Sequence, residues 1–533
     1  MIMKNYFAKS SVALMVVSAA LASCTQDEIV QNDVPTRQTL NISVNTQDFV
    51  SEDGSRATTG TDAGRTTAFV EGDAMGMYVI SSDGTVICNN EKFVYNGSAW
   101  TATNELYYWK NANYIAYYPY DESLTAENII SAEAIKTKFA GAENFYTQNT
   151  AEAYEKADLM LAEEEAPADG NIQFNLSHQF SMVEINVPVR KYKTEGGFEY
   201  TAPVSLAWDQ DLKIGDKTVT PYSTGKGSFR FIVPSEEKLS FTLDGHLVYD
   251  EGVPVNFGSP DAQTLNLASG HCKVYNVTYE KVPGDVTPRN LEVGDFYYTD
   301  GSIYPYGNQE GNNDCSKPVK DGCIGVIFEV GTGVPNNERW NHGSVLCLVD
   351  ATSGNVPWSA SNQTLSSNVT DDTSDENKQK VLTQMDGYSF TTQLAGMVNN
   401  DEAPAVARNF VSIDDKNYEA PQSVSTGWYL PSTGQIITIM QNLGGVNINT
   451  AESEFDAFGS NNRGNKNQAI TNIPAKWKVI TDAENESLGG IWCSANEYSV
   501  DQCWVIEWKK DATRLFGRNK KSNTGKVRPV LSF

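Results

Sequence analysis

The sequence predicts a mainly β chain: two consecutive β-sandwiches followed by a third, compositionally distinct α+β domain. Three observations carry this. Short runs that alternate apolar and polar residues recur from about residue 39 to residue 281, the period of half-buried strands. Gly, Asn, Asp and Pro separate the runs, as turns require. Tyrosine occurs 25 times beside 41 glycines, and aromatic residues favour strands as glycines favour turns.

The N-terminus reads as an address. Lys4 and Lys9 precede the apolar run Ser11–Leu21 and the small residues Ala22 and Ser23, the layout of a secretory signal and too short for a spanning helix. "LASC", Leu21–Cys24, has the form of a lipobox, in which small residues precede the cut and the cysteine carries diacylglycerol. Residues 1–23 are therefore read as a lipoprotein signal peptide and Cys24 as the lipidation site, anchoring the precursor to the outer membrane. Asp27 and Glu28 resemble an acidic tag for export to the outer face.

"TLNISVN", Thr39–Asn45, places Leu40, Ile42 and Val44 on one face, and "SEDGSRATTGTDAGRTT" follows with Arg56 and Arg65 in a Gly, Ser and Thr-rich stretch open to a protease. "MGMYV", "NYIAYYPY", "MVEINVPV", "SFRFIVP", "SFTLDGHLVY" and "KVYNVTYEK" continue the strand pattern, at a spacing that favours sandwiches over βαβ units. "SAEAIKTKF" and "NTAEAYEKADLMLAEEEAPADG" read as short helices or long loops, and the end of the second, Glu163–Gly170, as a domain boundary. Pro283, Gly284 and Pro288 mark the next boundary, in "KVPGDVTPRN".

Charge and cysteine usage exclude several classes. With 67 acidic and 40 basic residues the net charge is −27, which repels nucleic acid and anionic membrane. Beyond Cys24 there are seven cysteines, an odd number, five of them after residue 300. In an oxidising compartment, Cys315–Cys323 and Cys493–Cys503 are the disulfide candidates, as short loop staples. There is no CxxC pair, and the four histidines are scattered, so no metal and no cofactor is expected.

"AFVEGDAMGMYV", "ELYYWK" with "YIAYYPY", "DLMLA", "FNLSHQFSMVEINV" and "LASGHCKVYNVTY", in this order over about residues 35–282, resemble the successive blocks of the fimbrillin family of Bacteroidales, lipoprotein precursors of type V pili. The resemblance implies transthyretin-like β-sandwich domains at 57–165 and 166–282, preceded by a propeptide at 24–56. It further implies strand exchange with other pilin subunits. An arginine-specific protease cuts in the loop, "TLNISVN" leaves, and a neighbour's strand fills the groove. Arg56, followed by Ala57, fits that cut best; Arg65 is the second candidate, and Arg37 precedes the strand.

The third section, 290–533, has its own vocabulary: "VGDFYYTDGS", "CIGVIFEVG", "NHGSVLCLVD", "GWYLPSTGQI", "IWCSANEYSVDQCWVIEW" and "VRPVLSF". These words resemble a C-type-lectin-like module of bacterial surface proteins, akin to formylglycine-generating enzymes. Ser432 or Thr433 can cap a helix over "GQIITIMQNLGG", which Gly444 ends. Trp428, Trp492 and Trp504 are candidates for a sugar-stacking platform, although such tryptophans more often fill cores. The Glu-Pro-Asn, Gln-Pro-Asp and Trp-Asn-Asp signatures of calcium-dependent lectins are missing. Asn496 with Glu497, and "DDTSDEN" (Asp371–Asn377), are the nearest oxygen-rich groups, and a solvated loop is their ordinary meaning.

No G-x-S-x-G, H-E-x-x-H or P-loop occurs. Pairs such as Asp300 and Glu310 arise by chance in so acidic a chain, so no enzyme is expected. The chain closes at Phe533 inside a family word, with no spare strand to donate. The expectation is a fimbrial tip subunit and adhesin that accepts a strand and presents a head to a glycan or host-protein ligand. The alternative is an anchored outer-membrane lipoprotein that binds without polymerising.

Overall fold

The computed structural model describes residues 39–51, 68–104, 106–124, 131–165, 170–208, 212–214, 216–235, 239–241, 244–258, 263–277, 286–307, 317–360, 369–371, 373–448, 468–481, 488–509, 513–522 and 524–533. The chain is mainly β, as expected.

The first region is one seven-stranded sheet. Its members are β1 (Asn41–Thr46), β3 (Ala74–Ser81), β4 (Val86–Tyr95), β5 (Trp100–Ala102), β6 (Ala112–Tyr118), β7 (Met160–Glu165) and β8 (Asn171–His178). They run in the order β1-β8-β7-β6-β3-β4-β5. The sheet curls until its ends approach, with Thr39 bridged to Tyr107. Hydrogen bonding is continuous from β5 round to β1, so the expected pair of stacked sheets is replaced here by one wrapped sheet. Met75, Met77, Val79, Phe93, Tyr114 and Phe174 fill its inside. The other face packs on α1 (Ala132–Ala140) and α2 (Ala151–Ala157) through Ile135, Phe139, Tyr78 and Tyr117. Ser131 and Thr150 cap the two helices, accepting from Ala134 N and Ala153 N, so helices and not loops form in the acidic, alanine-rich stretches.

The boundary expected at 165/166 is corrected. β8 pairs with β7 and β1 and belongs to the first sheet, so the first sheet ends at His178. The next strand, β9 (Ser181–Asn186), starts the second region. It lies in a five-stranded sheet ordered Tyr222–Gly225, Ser228–Val233, β9, His271–Asn276 and β2, where β2 is Val50–Ser51. A three-stranded sheet of Ser205–Trp208, Asp244–Val248 and Pro254–Gly258 belongs to the same region. Val183, Ile185, Phe229, Phe231 and Leu247 form the core between them, two sheets packed face to face.

The third region is α+β. Its five-stranded sheet runs Ile303–Tyr304, Phe296–Tyr298, Cys323–Val330, Gly343–Cys347, Val530–Ser532. A second sheet carries the hairpin Gly490–Glu497 and Gln502–Trp508 with Arg514–Asn519. Helices α3 (Asp375–Thr383), α4 (Gly387–Ala395), α5 (Ala403–Arg408) and α6 (Thr433–Asn442) accompany them. The capping reading holds in detail: Ser432 and Gln435 form a reciprocal capping box on α6. The second and third regions share a seam. Tyr200 lies in the core of the third, Phe198 stacks on His342 at 3.9 Å, and Arg289 makes two 2.8 Å bonds to the buried Asp295.

Candidate functional site

The segment 39–51 is the candidate site, because it is the part of the fold that closes two sheets at once. β1 lies parallel to β8, Asn41 against Asn171 through Thr46 against Leu176. Its alternation puts Leu40, Ile42 and Val44 onto the first core. On the outer face Asn41 and Asn45 donate to the Asn171 and Asn175 side-chain oxygens at 3.2 Å. The next residues cross to the second sheet, where Val50 N donates to Gly270 O at 2.8 Å and Val50–Ser51 pairs parallel with His271–Cys272.

The two parts are joined by an anchor. Phe49 is buried and stacks on His178 with ring centroids 3.7 Å apart. His178 Nδ1 lies 2.7 Å from Asp158 Oδ1, which fixes the ring that Phe49 covers.

β8 depends on this segment. It pairs with β7 only at Ser177 and His178, and with β1 from Asn171 to Leu176. Without β1, most of β8 becomes an open edge whose inward residues Ile172, Phe174 and Leu176 lose their cover. Such an edge is a template for another strand. The sequence reading located β1 but missed Phe49 and His178. The signal was there, an aromatic residue four positions past the alternating run Thr39–Asn45.

Cys24, Arg56 and Arg65 lie outside the described residues. Both arginines fall in the stretch between β2 and β3, so a cut there separates 39–51 from everything that follows it.

The candidate ligand residues of the third region are core residues, and the stacking platform is corrected. Trp428, Trp492 and Trp504 are all at most 3% exposed. Trp428 Nε1 donates to Tyr418 O at 2.6 Å and Trp504 Nε1 to Thr370 O at 2.7 Å. Trp492 packs edge-on to Trp508 at 5.0 Å, under the Arg528 guanidinium. Asn496 caps α6, its side-chain oxygen accepting Thr433 N at 2.9 Å while its amide donates to Gln384 Oε1 at 2.6 Å. Glu497 and Lys520 form an ion pair with both side chains fully buried, and Lys520 Nζ also donates to Val500 O at 3.0 Å. All five are at most 3% exposed.

The staples are also corrected. Cys323, Cys493 and Cys503 are free buried thiols, and Cys315 lies outside the described residues. In the hairpin Cys493 stands opposite Val505 and Cys503 opposite Glu497, with a bulge between. The two cysteines thus do not stand opposite each other across the hairpin. Burial pushes the Cys493 thiol up to about 12.

The acidic candidates serve turns. Asp371 accepts from Thr373 N, Thr373 Oγ1 and Asn377 Nδ2, and Asp300 accepts from Ser302 N at 2.9 Å and from its hydroxyl. Glu310 lies outside the described residues. Among the described residues no His, Cys, Asp and Glu cluster fit for a metal occurs, and no helix is long and apolar enough to cross a membrane.

Residues 55–295 match the family model described as Fimbrillin-like, a structural, adhesion-type family and not an enzyme family. The match begins just past β2 and ends as the third region starts. Over its full length the chain is 26% identical to a Bacteroides ovatus protein named as a candidate fimbrium tip subunit, Fim1C, itself covered in full. Among solved structures, a fimbrial protein from Bacteroides ovatus aligns over 93% of this chain and 100% of its own, with 21% identity and a TM-score of 0.39. The C-terminally truncated tip fimbrial protein Mfa3 of Porphyromonas gingivalis aligns over 40% and 91%, with 9% identity and a TM-score of 0.22.

Proposed function

We propose that the chain is a fimbrial tip subunit and adhesin of type V pili, matured by loss of its N-terminal segment. The precursor is a surface lipoprotein held to the outer membrane through Cys24. An arginine-specific protease cuts after Arg56 or Arg65, and residues 39–51 leave with the lipid. A neighbouring pilin then donates an extended strand along β8, and across to His271–Asn276 where it reaches that far. Pilin domains end near residue 282, and 290–533 forms the lectin-like head that meets a glycan or host protein.

The single observation that carries this reading is that β1 and β2 are both parallel margin strands of one short segment, preceding both arginines. Detaching it opens two sheets together: Leu40, Ile42 and Val44 leave the first core and Phe49 leaves the cluster it shares with Met182, Ile232 and Cys272, while none of the segment's residues lies in the main clusters of the second and third regions. Chains with both Arg56→Ala and Arg65→Ala are expected to reach the surface and stay out of fimbriae. Normal incorporation of that double variant contradicts the strand-exchange reading.

A further inference from the structure

In the third region the strand Cys323–Val330 ends beside a loop, 331–342, that returns to the sheet at Gly343. The loop is held by its own backbone. Gly331 N donates to His342 O at 2.9 Å and Val334 N to Trp340 O at 2.8 Å. The Asn337 side-chain oxygen accepts Arg339 N and Trp340 N. Gly333 permits the closure, since a Cβ there stands 2.1 Å from Trp340 O. Between this loop and Met385 lies a cavity of about 610 Å³, the size of a small-molecule pocket.

Its lining has a distinct chemistry. Glu329, Glu338, Asn336 and Asn341 supply oxygens and amides, Val334, Pro335 and Met385 supply apolar surface, and no lysine or arginine is among the described lining residues. Arg339, next in sequence, has its guanidinium 4.2 Å above the Trp340 ring and bonded to the Gln422 and Ser423 carbonyls. Glu329 Oε2 is buried and has no hydrogen-bond partner among the described residues. Burial holds that carboxyl above the usual range, against the opposing hydrogen bond from Thr332. A buried acceptor without a donor is costly, and a ligand hydroxyl or ammonium offsets that cost.

We infer that this cavity is a saccharide site, taking a neutral or amino sugar that donates to Glu329 and lays a C–H face on Val334, Pro335 and Met385. Side-chain amides of Asn336 and Asn341 suit a hydroxyl-rich ring, because each both donates and accepts. Two carboxylates in the lining and a chain charge of −27 reject sialylated and sulfated sugars. The inference rests on the reading of 290–533 as a recognition head, and it moves the binding surface away from the buried tryptophans.

The full chain is probed on an array of neutral, amino, sialylated and sulfated glycans, with calorimetric titration of the best monosaccharide. Neutral or amino sugars are expected to bind, and Glu329→Gln, which keeps the side-chain shape, should weaken binding about tenfold or more. Met385→Trp, which fills the cavity from its far wall, should do the same without touching the carboxylate. Glycan binding unchanged in both variants overturns the site and leaves the adhesin reading standing. Binding only to acidic glycans, only to basic peptides, or to no glycan at all overturns the inference, while fimbrial incorporation of the arginine variants tests the tip reading separately.

Discussion

Two strands near opposite ends of the chain lie at the margins of their sheets and are held in opposite ways. β1 (Asn41–Thr46) is paired along its length only with β8, and its residues alternate between exposed and half-buried. Val530–Ser532 is wholly buried; it pairs with Gly343–Cys347 on one side, and Val530 bridges Tyr429 on the other. Ser532 Oγ adds hydrogen-bonding contacts to Tyr429 and Ser344. The difference teaches which strand can be exchanged. A strand bonded on one side, with half its surface in water, leaves at the cost of uncovering the inward face of β8, whereas one buried inside a core cannot leave without unfolding the third region.

Measured effects should follow this contrast. Glu497→Ala has the largest expected cost, about 3–5 kcal/mol of stability, because it leaves Lys520 charged and buried without its partner. Thermal unfolding of the purified chain checks this, and a near-neutral result contradicts the structural role of Glu497. Leu531→Ala, in the fully buried last strand, should cost about 2–5 kcal/mol and loosen the entire third region.

Phe49→Ala should act locally. Losing that side chain is worth about 1.5–3 kcal/mol, and it should appear as amide exchange about ten- to a hundredfold faster in β8 at Asn171–Leu176, with the third region unchanged. Global unfolding at lower temperature together with unchanged β8 exchange contradicts a detachable segment. The mildest test concerns the thiols. Unreduced protein should resist alkylation at Cys493 and Cys503 when native, because burial raises both thiols, and should take label at both in denaturant. A disulfide between them in mass spectrometry contradicts the free state.

Much of this was legible in the sequence, for identifiable reasons. Period-two alternation reveals strands because side chains point to opposite faces, and that placed β1 and β9. The same period cannot say which neighbour a strand joins. The alternation of β8 reads identically in either sheet, so a boundary drawn just before it was too early. Capping of α6 by Ser432 was legible because helix starts depend on residues close in sequence.

The tryptophans were not legible as site or core from composition alone, since stacking on a sugar and packing in a core use the same ring. Nor was the hairpin staple, because the register, which sets Cys493 opposite Val505 and Cys503 opposite Glu497, cannot be read from the positions of two cysteines. Phe49 escaped because its partner His178 is distant in sequence. The cavity beside Glu329 was hidden for a similar reason: Met385 meets the loop only after folding.

The most direct test of the central claim, that 39–51 is a removable plug, is N-terminal sequencing of the chain recovered from assembled fimbriae. The account predicts a mature N-terminus at Ala57 or Thr66. A fimbrial chain that keeps 39–51 behind a lipidated Cys24 contradicts it.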